Sequence, residues 1–135
     1  MKKIPVILIL ASVLGGCSAA GVLNSSDPQV KMSQAMELLK YNRPIPAERL
    51  MKEALTLFEQ QPSPEGARFA NIQLAFLYKS QGKSEDACLH FTSSNQYHLQ
   101  AVAKNPNKNY HVMEPYNDWN EMIIAMKNKA GCQLN

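Results

Sequence analysis

The sequence contains none of the short motifs that mark the common classes of enzyme. Its 135 residues include no Gly-x-Ser-x-Gly nucleophile elbow, no His-Glu-x-x-His zinc motif, no Walker phosphate loop and no dinucleotide-binding glycine fingerprint. Carboxylate pairs such as Glu53 with Glu59, or Glu85 with Asp86, fall in polar stretches where nothing predicts a cleft between an acid and a base. We therefore expect a protein that is not an enzyme.

Metal-ligating residues are also sparse. The histidines are His90, His98 and His111. His90 and His98 fall on one predicted helix about 12 Å apart along its axis, which is too far for them to share an ion. We expect no metal and no other cofactor, with each histidine at the surface or rim of the fold.

The chain also carries only a small excess of positive over negative charge. The chain carries a formal net charge of +3, which would fall to +1 without Lys2 and Lys3. No block of lysine and arginine predicts binding to nucleic acid or to anionic lipid headgroups. After residue 14, no segment is apolar enough to be expected to cross a bilayer.

The first seventeen residues are the most informative part of the chain. Lys2 and Lys3 precede an apolar run, 4–14, of about 11 residues, which is shorter than the roughly 20 that a spanning helix needs. Two glycines and Cys17 follow, and this arrangement resembles the lipobox signal of bacterial lipoproteins. The resemblance implies cleavage before Cys17, with 1–16 as the signal peptide and acyl chains on Cys17. An ordinary secretory peptide with a chance cysteine is the alternative.

A lipidated Cys17 would hold the protein on a membrane without spanning it. Two or more acyl chains anchor stably, because each buried CH₂ contributes about 0.8 kcal/mol. In the lipoprotein family an Asp after the cysteine tends to retain the protein at the inner membrane. Ser18 stands there instead, which implies the outer membrane, facing the periplasm, with inner-membrane retention as the alternative. The small and polar stretch 17–26 predicts a tether reaching roughly 16 Å, so 27–135 form the folded domain.

Two further cysteines, Cys88 and Cys132, remain in the predicted mature chain. In an oxidising compartment such a pair favours a disulfide. The bridge would stabilise the fold by about 4 kcal/mol on loop-entropy grounds and would hold the C-terminus in place. Two unpaired cysteines are the alternative.

Apolar residues recur at helical spacing in five segments, and no segment alternates with the period typical of a strand. We therefore predict an all-α domain, with Trp119 on the apolar stripe of its last helix. The predicted helices run from Pro28 to about Lys40, from about Ala47 to Gln60, from Pro64 to about Gln81, from a cap at Ser84 to about Lys104, and from Pro115 to about Ala130.

The third and fourth predicted helices carry a pattern of small and large residues at fixed offsets. Its members are Leu74, Ala75, Tyr78, Gly82, Ala87, Phe91 and Ser94. This pattern resembles the tetratricopeptide repeat, although Asn71 stands where a large residue is expected. The first two helices repeat it weakly at a spacing of 40, pairing Ala35 with Ala75, Ala47 with Ala87, Met51 with Phe91 and Ala54 with Ser94. At the same spacing, Leu55 matches Asn95 poorly.

The repeat resemblance implies antiparallel helix pairs with a concave face and a C-terminal capping helix. It further implies a groove lined by the first and third helices, in which Gln34, Asn71 and Lys79 are candidates for contact with a partner. A plain five-helix bundle without repeat ancestry is the alternative.

On both resemblances we expect a lipid-anchored adaptor or assembly factor that binds a protein or peptide of the cell envelope. A compact bundle that acts as a pilot or structural lipoprotein through its outer surface is the first alternative. A small cell-wall enzyme or its inhibitor is the second. Tyr97, Tyr110 and Tyr116, with His98 and His111, make the second half polar and aromatic, which suits contact with a protein or peptide.

Overall fold

The computed structural model describes residues 25–133. The predicted signal peptide, Cys17 and most of the predicted tether lie outside the described residues. The described part of the chain is helical without strands, which confirms the all-α prediction, and none of its helices is long and apolar enough to span a bilayer. The helices are α1 (Pro28–Lys40), α2 (Pro44–Gln60), α3 (Pro64–Ser80), α4 (Ser84–Lys104) and α5 (Trp119–Lys129).

Side-chain caps and early prolines set the starts of α1 and α3. The Asp27 carboxylate accepts a hydrogen bond from the Gln29 amide at 2.8 Å, and the Ser63 hydroxyl accepts one from the Gly66 amide at 3.4 Å. Each cap is followed by a proline, whose fixed φ and missing N–H suit the first position of a helix. Both helices begin where the sequence predicts.

The starts of α2 and α4 differ from the prediction. α2 begins at Pro44 rather than near Ala47, because Pro44 and Pro46 both fall in the first turn, where a helix needs no N–H donor. α4 begins at Ser84 itself, with Lys83 at the cap position and no side-chain cap bond, so the predicted Ser84 cap is wrong.

The last helix begins later than predicted, at Trp119 rather than Pro115. The Asp118 carboxylate accepts from the Glu121 amide at 2.8 Å, and the Glu121 carboxylate accepts from the Asn117 amide at 2.9 Å. This reciprocal pair is close to a capping box and places the helix start after Asp118. Residues 105–118 therefore form an irregular connection.

Helices adjacent in the chain pack against one another, and α3 with α4 is the most extensive pair. Three-residue turns join α1 to α2, α2 to α3 and α3 to α4, so these helices run antiparallel. Gly82, in the turn between α3 and α4, has φ +72°, which explains why the helix stops there. The predicted antiparallel pairs are present.

The spacing of 40 corresponds to equivalent positions in the core. All eight side chains of the predicted pairs have a relative exposure of 0 %: Ala35 and Ala75, Ala47 and Ala87, Met51 and Phe91, Ala54 and Ser94. Small residues at shared positions let the two helices of each pair approach closely, while Met51 and Phe91 fill the space between them. The two helix pairs thus share a burial pattern.

The C-terminal helix covers one side of the second pair. The Trp119 indole N–H donates to the Asn95 side-chain oxygen of α4 at 3.1 Å. A disulfide joins Cys88 of α4 to Cys132, with 5.6 Å between their Cα atoms. α5 and the residues after it are therefore held against α4 at both ends, as predicted for a capping helix.

Candidate functional site

A groove runs across the exposed face of α3, between α1 and α5. We define this α3 groove by two adjoining depressions that share Gln73 and Phe76. The depression toward α5 has a volume of about 220 Å³ and is lined by Arg68, Phe69, Ile72, Gln73, Phe76, His111, Met113, Trp119 and Met122. The depression toward α1 has a volume of about 430 Å³ and is lined by Leu39, Asn42, Pro44, Gln73, Phe76, Leu77, Ser80 and Gln81.

The groove exists because α3 is apolar on two faces. Ala67, Ala70 and Leu74 lie on the face that packs into the core between α2 and α4, and each is at most 1 % exposed. Phe69 and Phe76 recur at helical spacing on another face. Phe69 is 40 % exposed, so this second apolar face is open to solvent.

Three rings, those of His98, Tyr110 and Trp119, meet the guanidinium of Arg68 at the α5 end of the groove. The guanidinium carbon of Arg68 lies 4.6 Å from the Trp119 ring centroid and 5.2 Å from that of Tyr110. His98 stacks on Trp119 at 4.5 Å and meets Tyr110 edge-on at 5.3 Å. His111 also lines the cavity. This Arg68 cluster joins α3, α4, α5 and the connection 105–118, so it fixes the wall of the groove.

A hydrogen bond within the Arg68 cluster defines the protonation state and the tautomer of His98. Arg68 Nη1 lies 3.2 Å from His98 Nδ1. A guanidinium can only donate, so Nδ1 must accept, and the ring is neutral with its proton on Nε2. Burial, followed by the nearby Arg68 charge, lowers the pKa of His98 below its ordinary value of 6.5, in agreement with that assignment.

The charge of Arg68 is partly removed from water without a close counter-ion. Burial lowers the pKa of Arg68, although the group stays protonated at neutral pH. Among residues 25–133, no carboxylate oxygen lies within 4.0 Å of its guanidinium. Glu65, one turn earlier on α3, forms its ion pair with Lys108 at 2.6 Å instead. The groove therefore presents a cation beside apolar walls.

A second polar network lies inside the helix stack. Asn71 donates to the Ala67 carbonyl at 2.9 Å, and its side-chain oxygen lies 2.8 Å from His90 Nδ1. His90 stacks on Tyr78, whose hydroxyl donates to Glu48 of α2 at 2.7 Å. Burial lowers the pKa of His90. The network links α2, α3 and α4 and has the character of a structural element.

The three predicted contact residues differ in burial, and none of them lies in the α3 groove. Asn71 is 2 % exposed and faces α4, so its amide is used within the fold. Gln34 is half-buried on α1, and Lys79 is half-buried on α3. None of the three lines either depression of the α3 groove.

Of the residues that line the groove, His111 and Trp119 were named from the sequence, but Arg68, Phe69, Gln73 and Phe76 were not. The sequence signal that could have identified them is the second apolar stripe on α3.

The described residues offer neither a free thiol nor a metal site. Cys88 is bonded to Cys132 and therefore offers no free thiol. Across 25–133, no three His, Cys, Asp or Glu side chains are grouped so that they could hold a metal ion. The arrangement can bind an apolar side chain together with an anionic group.

Comparison of the chain with protein-family models, with curated proteins and with solved structures gives no significant match.

Proposed function

We propose that this protein is a lipid-anchored protein-interaction module of the bacterial periplasm, which binds a segment of an envelope protein in its α3 groove. The observation that carries the proposal is the open apolar face of α3, where Phe69, in the depression toward α5, is 40 % exposed. A helix of 17 residues is about 25 Å long, which matches an extended peptide of roughly seven residues. Concave, mostly apolar surfaces with a few polar groups are typical of binding sites.

The proposed anchor rests on the lipobox resemblance that ends at Cys17. α1 begins at Pro28, so a short stretch of chain would separate the lipidated cysteine from the folded domain. A module held this close to the bilayer would meet its partners at the membrane surface. The disulfide between Cys88 and Cys132 suits an oxidising compartment such as the periplasm.

Metabolic labelling tests the anchor. Cells that express the full chain are fed an alkyne-palmitate probe, and labelling of the protein is compared with that of a Cys17→Ser variant. We expect label on the native chain and its loss from the variant. A native chain without label, or a variant that keeps it, contradicts the anchor.

Site-specific photo-crosslinking in intact cells tests the groove. A photoreactive phenylalanine analogue replaces Phe69 in the groove or, as a matched control, Leu99 on the outer face of α4, which is 61 % exposed. We expect a discrete crosslinked protein from position 69 and none from position 99. Crosslinking from position 99 alone contradicts the groove.

The outer face of α4 supports a second candidate function, a pilot or structural lipoprotein that binds through its outer surface. Leu89 and Leu99 are both 61 % exposed there. Single exposed leucines are common on protein surfaces, whereas the groove collects several apolar side chains at one place. The crosslinking experiment separates the two candidates.

A further inference from the structure

We propose that the α5 end of the groove recognises an internal peptide segment in which an Asp or Glu stands next to a bulky apolar residue, with Arg68 binding the carboxylate. This inference rests on the proposed function and specifies the chemistry of its partner.

The cavity suits one bulky apolar side chain. Its volume is about 220 Å³, and its walls include Phe69, Ile72, Phe76 and Met122. For comparison, an apolar cavity of about 150 Å³ is enough to hold a benzene ring. An aliphatic or aromatic side chain of the partner would therefore fill it and displace water from its walls.

Arg68 supplies a cation at the edge of that cavity. A guanidinium has five N–H donors in a fork that matches a carboxylate, and the one side-chain hydrogen bond found for Arg68 in the described chain goes to His98. Its stacking on Trp119 and Tyr110 orients the fork before any ligand arrives.

Within residues 25–133, no negatively charged side chain forms an ion pair with Arg68, so a partner can supply the anion. Glu65 is engaged by Lys108 at 2.6 Å, and His98, which is neutral here, offers no negative charge. A half-buried cation in apolar surroundings gains most from a carboxylate that arrives with its own apolar neighbour, since both exclude water. The second depression continues along α3 toward α1, so a bound chain passes through the site and the carboxylate belongs to a side chain.

Selection from a displayed library of random internal peptides on the purified full chain tests the inference. We expect the selected peptides to share an Asp or Glu next to Leu, Ile, Phe or Met. Selection on the Arg68→Gln variant is expected to lose the acidic residue and keep the apolar one. The matched control is Arg49→Gln, an exposed arginine of α2 that pairs with Glu53 at 3.7 Å, and it should select the native pattern.

Synthetic peptides then measure how much the acidic residue contributes to affinity for the native protein. This comparison does not depend on the folding of a variant. Trp119 is the one tryptophan of the chain and lines the cavity, so its fluorescence reports binding. Replacing the acidic residue of a selected peptide by its amide should weaken binding about tenfold or more. The same replacement should have little effect on binding to Arg68→Gln.

The possible failures are distinct. Peptides that compete for the groove but carry no acidic residue, or an amide replacement without effect, overturn the role of Arg68 and leave the groove function standing. A library that yields no peptide sensitive to the groove substitution Phe69→Ala overturns both proposals.

Discussion

Removing the disulfide between Cys88 and Cys132 should destabilise the domain strongly. The two cysteines are 44 positions apart, so the bridge closes a loop that contains most of α4, the connection 105–118 and all of α5. The chain-entropy relation for a loop of this size gives a stabilisation of about 4 kcal/mol. At about 4 °C or more per kcal/mol for a domain of this length, the melting temperature should fall by roughly 15 °C.

Urea unfolding of the native chain and of a Cys88→Ser/Cys132→Ser double variant measures this loss. The bridge acts mainly on the unfolded chain, so the double variant should also show a larger m-value, because its unfolded state exposes more surface. Reductant should shift the native chain to the behaviour of the double variant and should leave that variant unchanged, which controls for other effects of the reagent. A double variant that unfolds within about 0.5 kcal/mol of the oxidised native chain would refute the reasoning.

Two further perturbations test the packing and the electrostatics. Gly66→Ala should lower the free energy of unfolding by about 1 to 3 kcal/mol, because a Cβ at that position would overlap the Phe58 ring, and an unchanged urea midpoint would contradict this. The free energy of unfolding should fall as the pH drops below about 6.5, because burial lowers the pKa of His98 in the folded chain and the unfolded chain therefore binds a proton first. This loss of stability is absent above that pH, and it stops growing once the folded ring is protonated as well. His98→Gln should reduce this pH dependence in urea titrations without abolishing it, because burial lowers the pKa of His90 as well.

The repeat pattern predicted the core more accurately than it predicted the groove. Ala35, Ala47, Met51 and their partners 40 positions later are all fully buried. These positions could be predicted because close contacts between helices require small residues, which recur at a fixed spacing in the sequence. The departure at Asn71 is accommodated by a hydrogen bond to His90 across α3 and α4. Spacing could not show this, because the two residues lie on different helices.

Helix starts were predicted correctly where a short polar side chain precedes a proline, as at Asp27 and Ser63. The start of α2 lies earlier than predicted, because Pro44 and Pro46 both fit the first turn of a helix. The last helix begins later than the predicted Pro115, because the side chain of Asp118 caps the helix that starts at Trp119.

The Arg68 cluster could not be predicted from the sequence. Its members Arg68, His98, Tyr110 and Trp119 come from four separate parts of the chain, and the irregular connection that carries Tyr110 has no period to place it. The polar and aromatic character of the second half did indicate that this region suits contact. Trp119 was expected in the core, and it is 8 % exposed while also lining the cavity.

Binding of the envelope partner to a matched pair of surface variants tests the central claim most directly. Once crosslinking has identified that partner, its affinity is measured for the native chain, for Phe69→Ala in the groove and for Leu99→Ala on the outer face of α4. Both side chains are at least 40 % exposed, so neither truncation should disturb the core. The account predicts that Phe69→Ala weakens binding about tenfold or more while Leu99→Ala leaves it unchanged. Unchanged binding to Phe69→Ala together with weakened binding to Leu99→Ala would contradict it.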